Sequence, residues 1–276
     1  MGKTAMGKGR GLLFSGIGGI GGAVAVFVLL APTGMTPTAI GLYLAAIAAG
    51  GAAGSFTNDI LEILQEYLRQ KPNILLIGIG GVGKTTVVKE FQEASESGKA
   101  AIVGTEKIEN NIIYLTKQKF NIWDYAGQQP SQIIDILNKL DNNIVIIPLF
   151  VVDVCPPEDE IENMDGMPEP ESLSIQDNIV QKRIAQQQAE LSDTFCQTIL
   201  GSINNLSKIK TVGYLVNKID LLDRDSQAKI FQSELPALKY LERISANGEF
   251  YLKKKAGSAL EGLNIRKLLR EIASGI

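Results

Sequence analysis

The chain has 276 residues, 27 Lys and Arg against 30 Asp and Glu, a formal net charge of −3, two cysteines and no histidine. Nucleic-acid binding needs clustered basic side chains, which this balance does not offer, so nucleic acid is not an expected partner. The lack of histidine excludes imidazole catalysis and histidine-bound zinc, and Cys155 and Cys196 alone make neither a disulfide framework nor a zinc cage.

Charge is unevenly spread. Residues 1–10 carry Lys3, Lys8 and Arg10, and then no charged residue occurs from Gly11 to Asn58. The polar turn 32–38 divides this run into 11–31, long enough as a helix to cross roughly 30 Å of hydrocarbon, and 39–56, marginal but sufficient with little tilt. Lipid cannot satisfy backbone N–H and C=O groups, so spans of this kind are helical. Gly18 and Gly22, and again Gly50 and Gly54, stand four apart and permit close helix approach. The reading is a transmembrane helical hairpin over 11–56, with the basic residues 1–10 and everything after the hairpin on the cytosolic side. Two competitors stand beside it, a buried or oligomerising helical hairpin and a cleaved signal peptide, the latter disfavoured by the length of the apolar run. Myristoylation fails at Met6 and prenylation lacks a C-terminal cysteine. Residues 57–71 follow as an amphipathic linker helix, with Ile60, Leu61, Ile63, Leu64, Tyr67 and Leu68 on one stripe and Pro72 as its stop. It is expected to pack on the domain behind it, with a position on the lipid surface as the alternative.

Residues 72–276 are expected to form one α/β domain. Asn73 to Ile77 is a short apolar run suited to a buried parallel strand. Gly78-Ile79-Gly80-Gly81-Val82-Gly83-Lys84-Thr85 follows at once, matching G-x-x-x-x-G-K-[ST], and Thr86 onward reads as a helix. Glycines let the backbone wrap a triphosphate with its N–H groups inward, and the helix N-terminus adds a positive dipole end. Gly78, Gly80, Gly81, Val82, Gly83, Lys84, Thr85 and Thr86 are therefore candidate phosphate contacts, with Lys84 on the β- and γ-phosphates and the Thr85 hydroxyl on Mg²⁺. Gly2-Lys3-Thr4 has no strand or upstream glycine and is a decoy.

A hairpin over 111–124 ends in Trp123-Asp124-Tyr125-Ala126-Gly127-Gln128. Asp124 at the strand end can hold Mg²⁺ through water, Gly127 can offer its N–H to a γ-phosphate, and Gln128 can orient an attacking water. Thr105, in a polar stretch after the first helix, is a candidate second hydroxyl on Mg²⁺, whose loop would be released when the γ-phosphate is lost. Asp153 ends another apolar strand without the glycine and glutamine, and a structural role is assigned to it. Residues 156–172 insert seven carboxylates with no Lys or Arg, which reads as a solvated loop, with a partner-binding element as the alternative. A single long Gln-rich helix is expected over about 175–203. Val212 to Val216 forms a buried strand capped by Asn217-Lys218-Ile219-Asp220. Asp220 can accept from the two guanine N–H groups where adenine has no such pair, Asn217 can tie this loop to the phosphate loop, and the Lys218 stem can cover the base. Ser258-Ala259-Leu260, before a helix over 264–274, is preferred to Ser245-Ala246-Asn247 as the segment whose backbone meets guanine O6.

With these four motifs in order on strand ends, residues 72–276 resemble the Ras/Rab/Arf-like small GTPases. The layout, a hydrophobic N-terminal segment before an Arf-like domain, is similar to that of the signal recognition particle receptor β subunit. The resemblance implies a mostly parallel six-stranded sheet with helices on both faces, GTP or GDP with Mg²⁺ as ligands, and slow hydrolysis. It gives Gln128 the water-positioning role, Thr105 that of the first switch threonine, and Lys84, Thr85 and Asp124 the phosphate and metal roles. The expected function is a membrane-anchored GTP-dependent switch facing the cytosol, with effector, activating and exchange proteins as partners. Two alternatives remain at this stage, a GTP-driven membrane-remodelling or pore-forming protein that oligomerises through the Gly-rich hairpin, and a constitutively GTP-bound receptor subunit.

Overall fold

The computed structural model describes residues 65, 68–69, 71–93, 109–115, 118–124, 130–157 and 168–275. The proposed hairpin 11–56, Thr105, Gly127 and Gln128 lie outside these residues. Among the described residues, no helix is long and apolar enough to cross a membrane.

Strand β1, Asn73–Ile77, is buried along its whole length, as an interior strand covered on both faces must be. Helix α1, Lys84–Glu93, leaves the loop after it. Strands β2, Glu109–Leu115, and β3, Gln118–Asp124, pair antiparallel, from Glu109 opposite Asp124 to Leu115 opposite Gln118. Helix α2, Pro130–Leu137, leads to β4, Ile146–Asp153, also buried throughout. Then come helices α3, Asn178–Glu190, and α4, Asp193–Leu206, and strand β5, Thr211–Asn217. The chain closes with α5, Arg224–Lys229, α6, Leu238–Ala246, strand β6, Tyr251–Ala256, and α7, Ile265–Ala273. The six strands form one sheet in the order β2-β3-β1-β4-β5-β6, parallel everywhere except between β2 and β3.

Alternation along the strands feeds two apolar cores. Ile74 and Leu76 face one side with Ile122, Leu149 and Leu215, under α1 and α7. Leu75 and Ile77 face the other with Trp123, Phe150, Val152 and Tyr214, under α2, α3 and α4. Burying apolar surface on both faces is what lets strands this hydrophobic sit inside the domain. Leu68 is fully buried in the second core and Arg69 pairs with Asp141, so the described part of the linker packs on the domain.

The single helix expected over 175–203 is two helices. The break falls at Leu191 and Ser192, where the Ser192 hydroxyl accepts from the Phe195 N–H and caps α4. A serine followed by Asp193 in the next first turn satisfies orphan amides and favours a new start over continuation. The break lets α3 lie against the end of β4.

In register, Leu76 aligns with Leu149 and Asp153 with Asn217, so the carboxyl ends of β1, β3, β4 and β5 open on one edge of the sheet. Ligands of open α/β sheets bind outside such strand ends.

Candidate nucleotide site

The phosphate loop begins where β1 stops. A β-carbon on Gly78 would lie 2.3 Å from the Val151 carbonyl oxygen of β4, so only glycine allows this approach of loop to sheet. Gly83 has φ +85° and would place a β-carbon 2.4 Å from Asn217 Nδ2. Lys84 opens α1 and is buried, and its Nζ donates to the Gly78 and Ile79 carbonyls, both at 2.9 Å. Burial lowers its pKa to about 8, opposed by the negative charges of Asp124 and Asp153 and assisted by Arg183.

One turn of chemistry further on, the Thr85 hydroxyl donates to Asp124 Oδ2 at 2.8 Å. Asp124 is buried, and its Oδ1 has no hydrogen-bond partner among the described residues. Burial raises its pKa, while the Lys84 charge and the Thr85 bond pull it down. A hydroxyl and a buried carboxylate with an oxygen to spare are hard donors of the kind magnesium takes. Thr85 and Asp124 therefore fit the metal role, whereas Thr105, Gly127 and Gln128 lie outside the described residues.

The other end of the candidate site is built on Asn217. Its Nδ2 donates to the Val82 carbonyl at 2.9 Å, and its Oδ1 accepts from the Ala259 N–H at 2.8 Å. One carboxamide thus joins the phosphate loop, the loop after β5 and the loop after β6. Asp220 lies in a tight turn, Ile219–Leu221, and its buried Oδ1 has no partner among the described residues. The Ile219 N–H donates to the Gly257 carbonyl, Ser258 and Ala259 are buried, and Leu260 is exposed. Ser245 and Ala246 instead end α6, where the Ser245 hydroxyl donates to the Phe250 carbonyl, far from this constellation in role. Lys218 holds the left-handed conformation at φ +58°, uncommon for a residue with a β-carbon.

Sequence reasoning gave Asp153 a structural role but missed the partners that hold it behind these loops. Asp153 has a fully buried side chain and takes Arg183 Nε at 2.7 Å and Lys218 Nζ at 2.7 Å. Arg183 also donates through Nη2 to the Gly80 carbonyl at 2.8 Å and through Nη1 to Gln186 at 2.7 Å. Gln187 clamps the backbone of Asp153, accepting from its N–H at 3.0 Å and donating to its carbonyl at 2.8 Å. The available signals were a charge closing a wholly apolar strand, which demands partners, and Arg183 and Gln187 at a four-residue helical spacing.

The acidic insertion is pinned at both described ends. Pro157 lies against the loop, 2.7 Å from where a Gly81 β-carbon would stand. At the other end Glu171 N–H donates to the Asp220 carbonyl and Leu173 N–H to that of Leu221, so these residues are held rather than loose as the composition suggested. Residues 158–167 lie outside the described ones.

The glycine-rich loop, the Thr85–Asp124 hydroxyl–carboxylate pair and the Asp220 carboxylate thus lie on the carboxyl edge of one sheet. Residues 73–161 match the family model described as Ras of Complex, Roc, domain of DAPkinase. Among solved structures the chain is similar to the Arl6 BBS3 small GTPase of Trypanosoma brucei with bound nucleotide analogue GppNp. The two are 16% identical, the match covers 74% of this chain and 96% of that one, and the TM-score is 0.42.

Proposed function

We propose that this chain binds GTP and GDP with Mg²⁺ and hydrolyses GTP slowly as a membrane-anchored switch. The observation that supports it most is the pair of buried, unpartnered carboxylate oxygens, Asp124 Oδ1 and Asp220 Oδ1, at the two ends of a site joined by Asn217. An unmet buried acceptor is costly, and a guanine edge supplies two N–H donors to Asp220 where adenine supplies no matching pair. At the other end the loop amides and the Lys84 ammonium take the phosphates, and Thr85 and Asp124 hold the metal. Bound Mg²⁺ supplies charge neutralisation on the phosphate oxygens.

Gln128 would orient the attacking water and Thr105 would offer its hydroxyl to the metal, so that loss of the γ-phosphate would free an effector surface. Arg183 is held by Asp153, Gln186 and Gly80, which suits a brace of the loop and not a group that reaches transferring phosphate. Turnover is accordingly slow without an activating partner. The hairpin 11–56 anchors the chain, with residues 1–10 and the GTPase domain on the cytosolic face, because its uncharged length matches two spans and the basic residues precede it.

Calorimetry on the detergent-purified chain with Mg²⁺ tests the binding reading. Heat is expected with GDP and GTP and none with ADP, and silence with all three would end it. For the anchor, the chain should stay in the membrane pellet at alkaline pH, and a version lacking 11–56 should leave it.

A further inference from the structure

We propose that Asp153 is a positioning residue that couples the phosphate loop to the base-reading loop, with Arg183 and Lys218 as its two arms. The inference rests on the nucleotide-binding reading above and adds three residues' joint action to it. One arm runs from the Asp153 carboxylate through Arg183 Nε at 2.7 Å to Nη2, which donates to the Gly80 carbonyl at 2.8 Å. The other runs to Lys218 Nζ at 2.7 Å, which also donates to the Cys155 carbonyl at 2.5 Å.

Three observations argue for coupling over mere packing. The Asp153 and Arg183 side chains are both wholly buried, and burying an ion pair is a poor way to stabilise a core that apolar side chains could fill. Both arms end on backbone that is in left-handed conformation or next to it. Gly81, adjacent to the gripped Gly80 carbonyl, has φ +75°, and Lys218 has φ +58°. Glycine adopts this conformation freely, but a residue with a β-carbon such as Lys218 holds it only where surrounding contacts over-determine it, and such residues gather at functional sites. Finally, α3 spends two residues one turn apart on this one aspartate, Arg183 on its carboxylate and Gln187 on its backbone N–H and carbonyl. The strand end is fixed from behind, so the carboxylate can fix what lies in front.

The arrangement predicts a division of labour that loss of fold stability alone does not produce. Two affinity ratios read it: GDP over GMP reports the grip on the β-phosphate, and GDP over IDP reports the reading of the guanine 2-amino group. Arg183→Lys keeps a charge for Asp153 but lacks the fork that also reaches Gly80. It should lower GDP over GMP about tenfold and leave GDP over IDP unchanged. Lys218→Met should do the reverse, by about the same factor. Asp153→Asn should lower both ratios together, and a thermal melt of each variant records any loss of fold separately. If Asp153→Asn does not fold, the two single variants decide. Either ratio staying at the wild-type value where a fall is expected overturns the coupling. A wild-type chain that binds no GDP at all would instead sink the nucleotide reading itself.

Discussion

Asn217 and Gly83 occupy each other's space: the Asn217 carboxamide lies where a β-carbon on Gly83 would stand, 2.4 Å from Nδ2, and that nitrogen donates to Val82 next door. Gly83 also has φ +85°, which costs a residue with a β-carbon roughly 1–2 kcal/mol before any contact is counted. The glycine-rich loop and the loop after β5 are thus fitted to one another by the absence of a methyl group. Gly83→Ala is expected to abolish measurable GDP binding by calorimetry. Asn217→Ala leaves the Val82 carbonyl and the Ala259 N–H unpaired at roughly 1–3 kcal/mol each, so GDP affinity should fall by roughly 100-fold. Wild-type affinity in either variant would separate this contact from binding.

Asp220→Asn replaces an acceptor-only carboxylate by an amide that both donates and accepts. Competition binding should show preference moving from guanosine to xanthosine nucleotides, whose base edge carries a carbonyl where guanine has its amino group. An unchanged preference removes Asp220 from the base site.

Lys84 carries a pH signature. Burial holds its pKa at about 8 in the nucleotide-free chain, below the ordinary 10.5, and a bound phosphate raises it by favouring the ammonium. The free state is then the less protonated one above pH 8, so binding takes up a proton there and affinity for GDP falls as pH rises through about 8. Below that pH the ammonium is present in both states and this dependence vanishes. Calorimetry at pH 8.5 in buffers of different ionisation enthalpy should register the uptake, on the order of half a proton or more. No difference between buffers would mean that Lys84 does not meet the phosphates.

Gln128→Leu should leave GDP and GTP affinity intact and lower single-turnover hydrolysis below detection, because water orientation is lost while the phosphate contacts remain. Hydrolysis at the wild-type rate would transfer the water-positioning role to another residue.

Much of the domain was legible from residue order. Strand β1 followed by the glycine-rich loop announces itself because the demands are local: apolar residues on both faces, then positions that only glycine can hold, as at Gly78 and Gly83. Sequence context favoured Ser258 to Leu260 over Ser245 to Asn247, and the structure puts the Ala259 N–H on Asn217 while Ser245 and Ala246 end α6. The helix break at Ser192 was locally coded by a capping serine but hidden by the Gln-rich run around it.

What tertiary structure alone decided is which distant groups share a charge. Asp153 and Arg183 stand 30 residues apart across an acidic insertion, and Asn217 and Val82 stand 135 apart. Periodicity and motif spacing encode what a residue demands of its own backbone and immediate neighbours, so they pointed to the glycine-rich loop after β1 and to Asp124 and Asp220 at or just after strand ends. They carry no information on which buried cation answers a strand-end aspartate, because that partner is chosen by the packing of α3 across the sheet. The motifs behind the proposed function were therefore written in the order of residues, and the linkage between the two halves of the site arose only when the sheet was assembled.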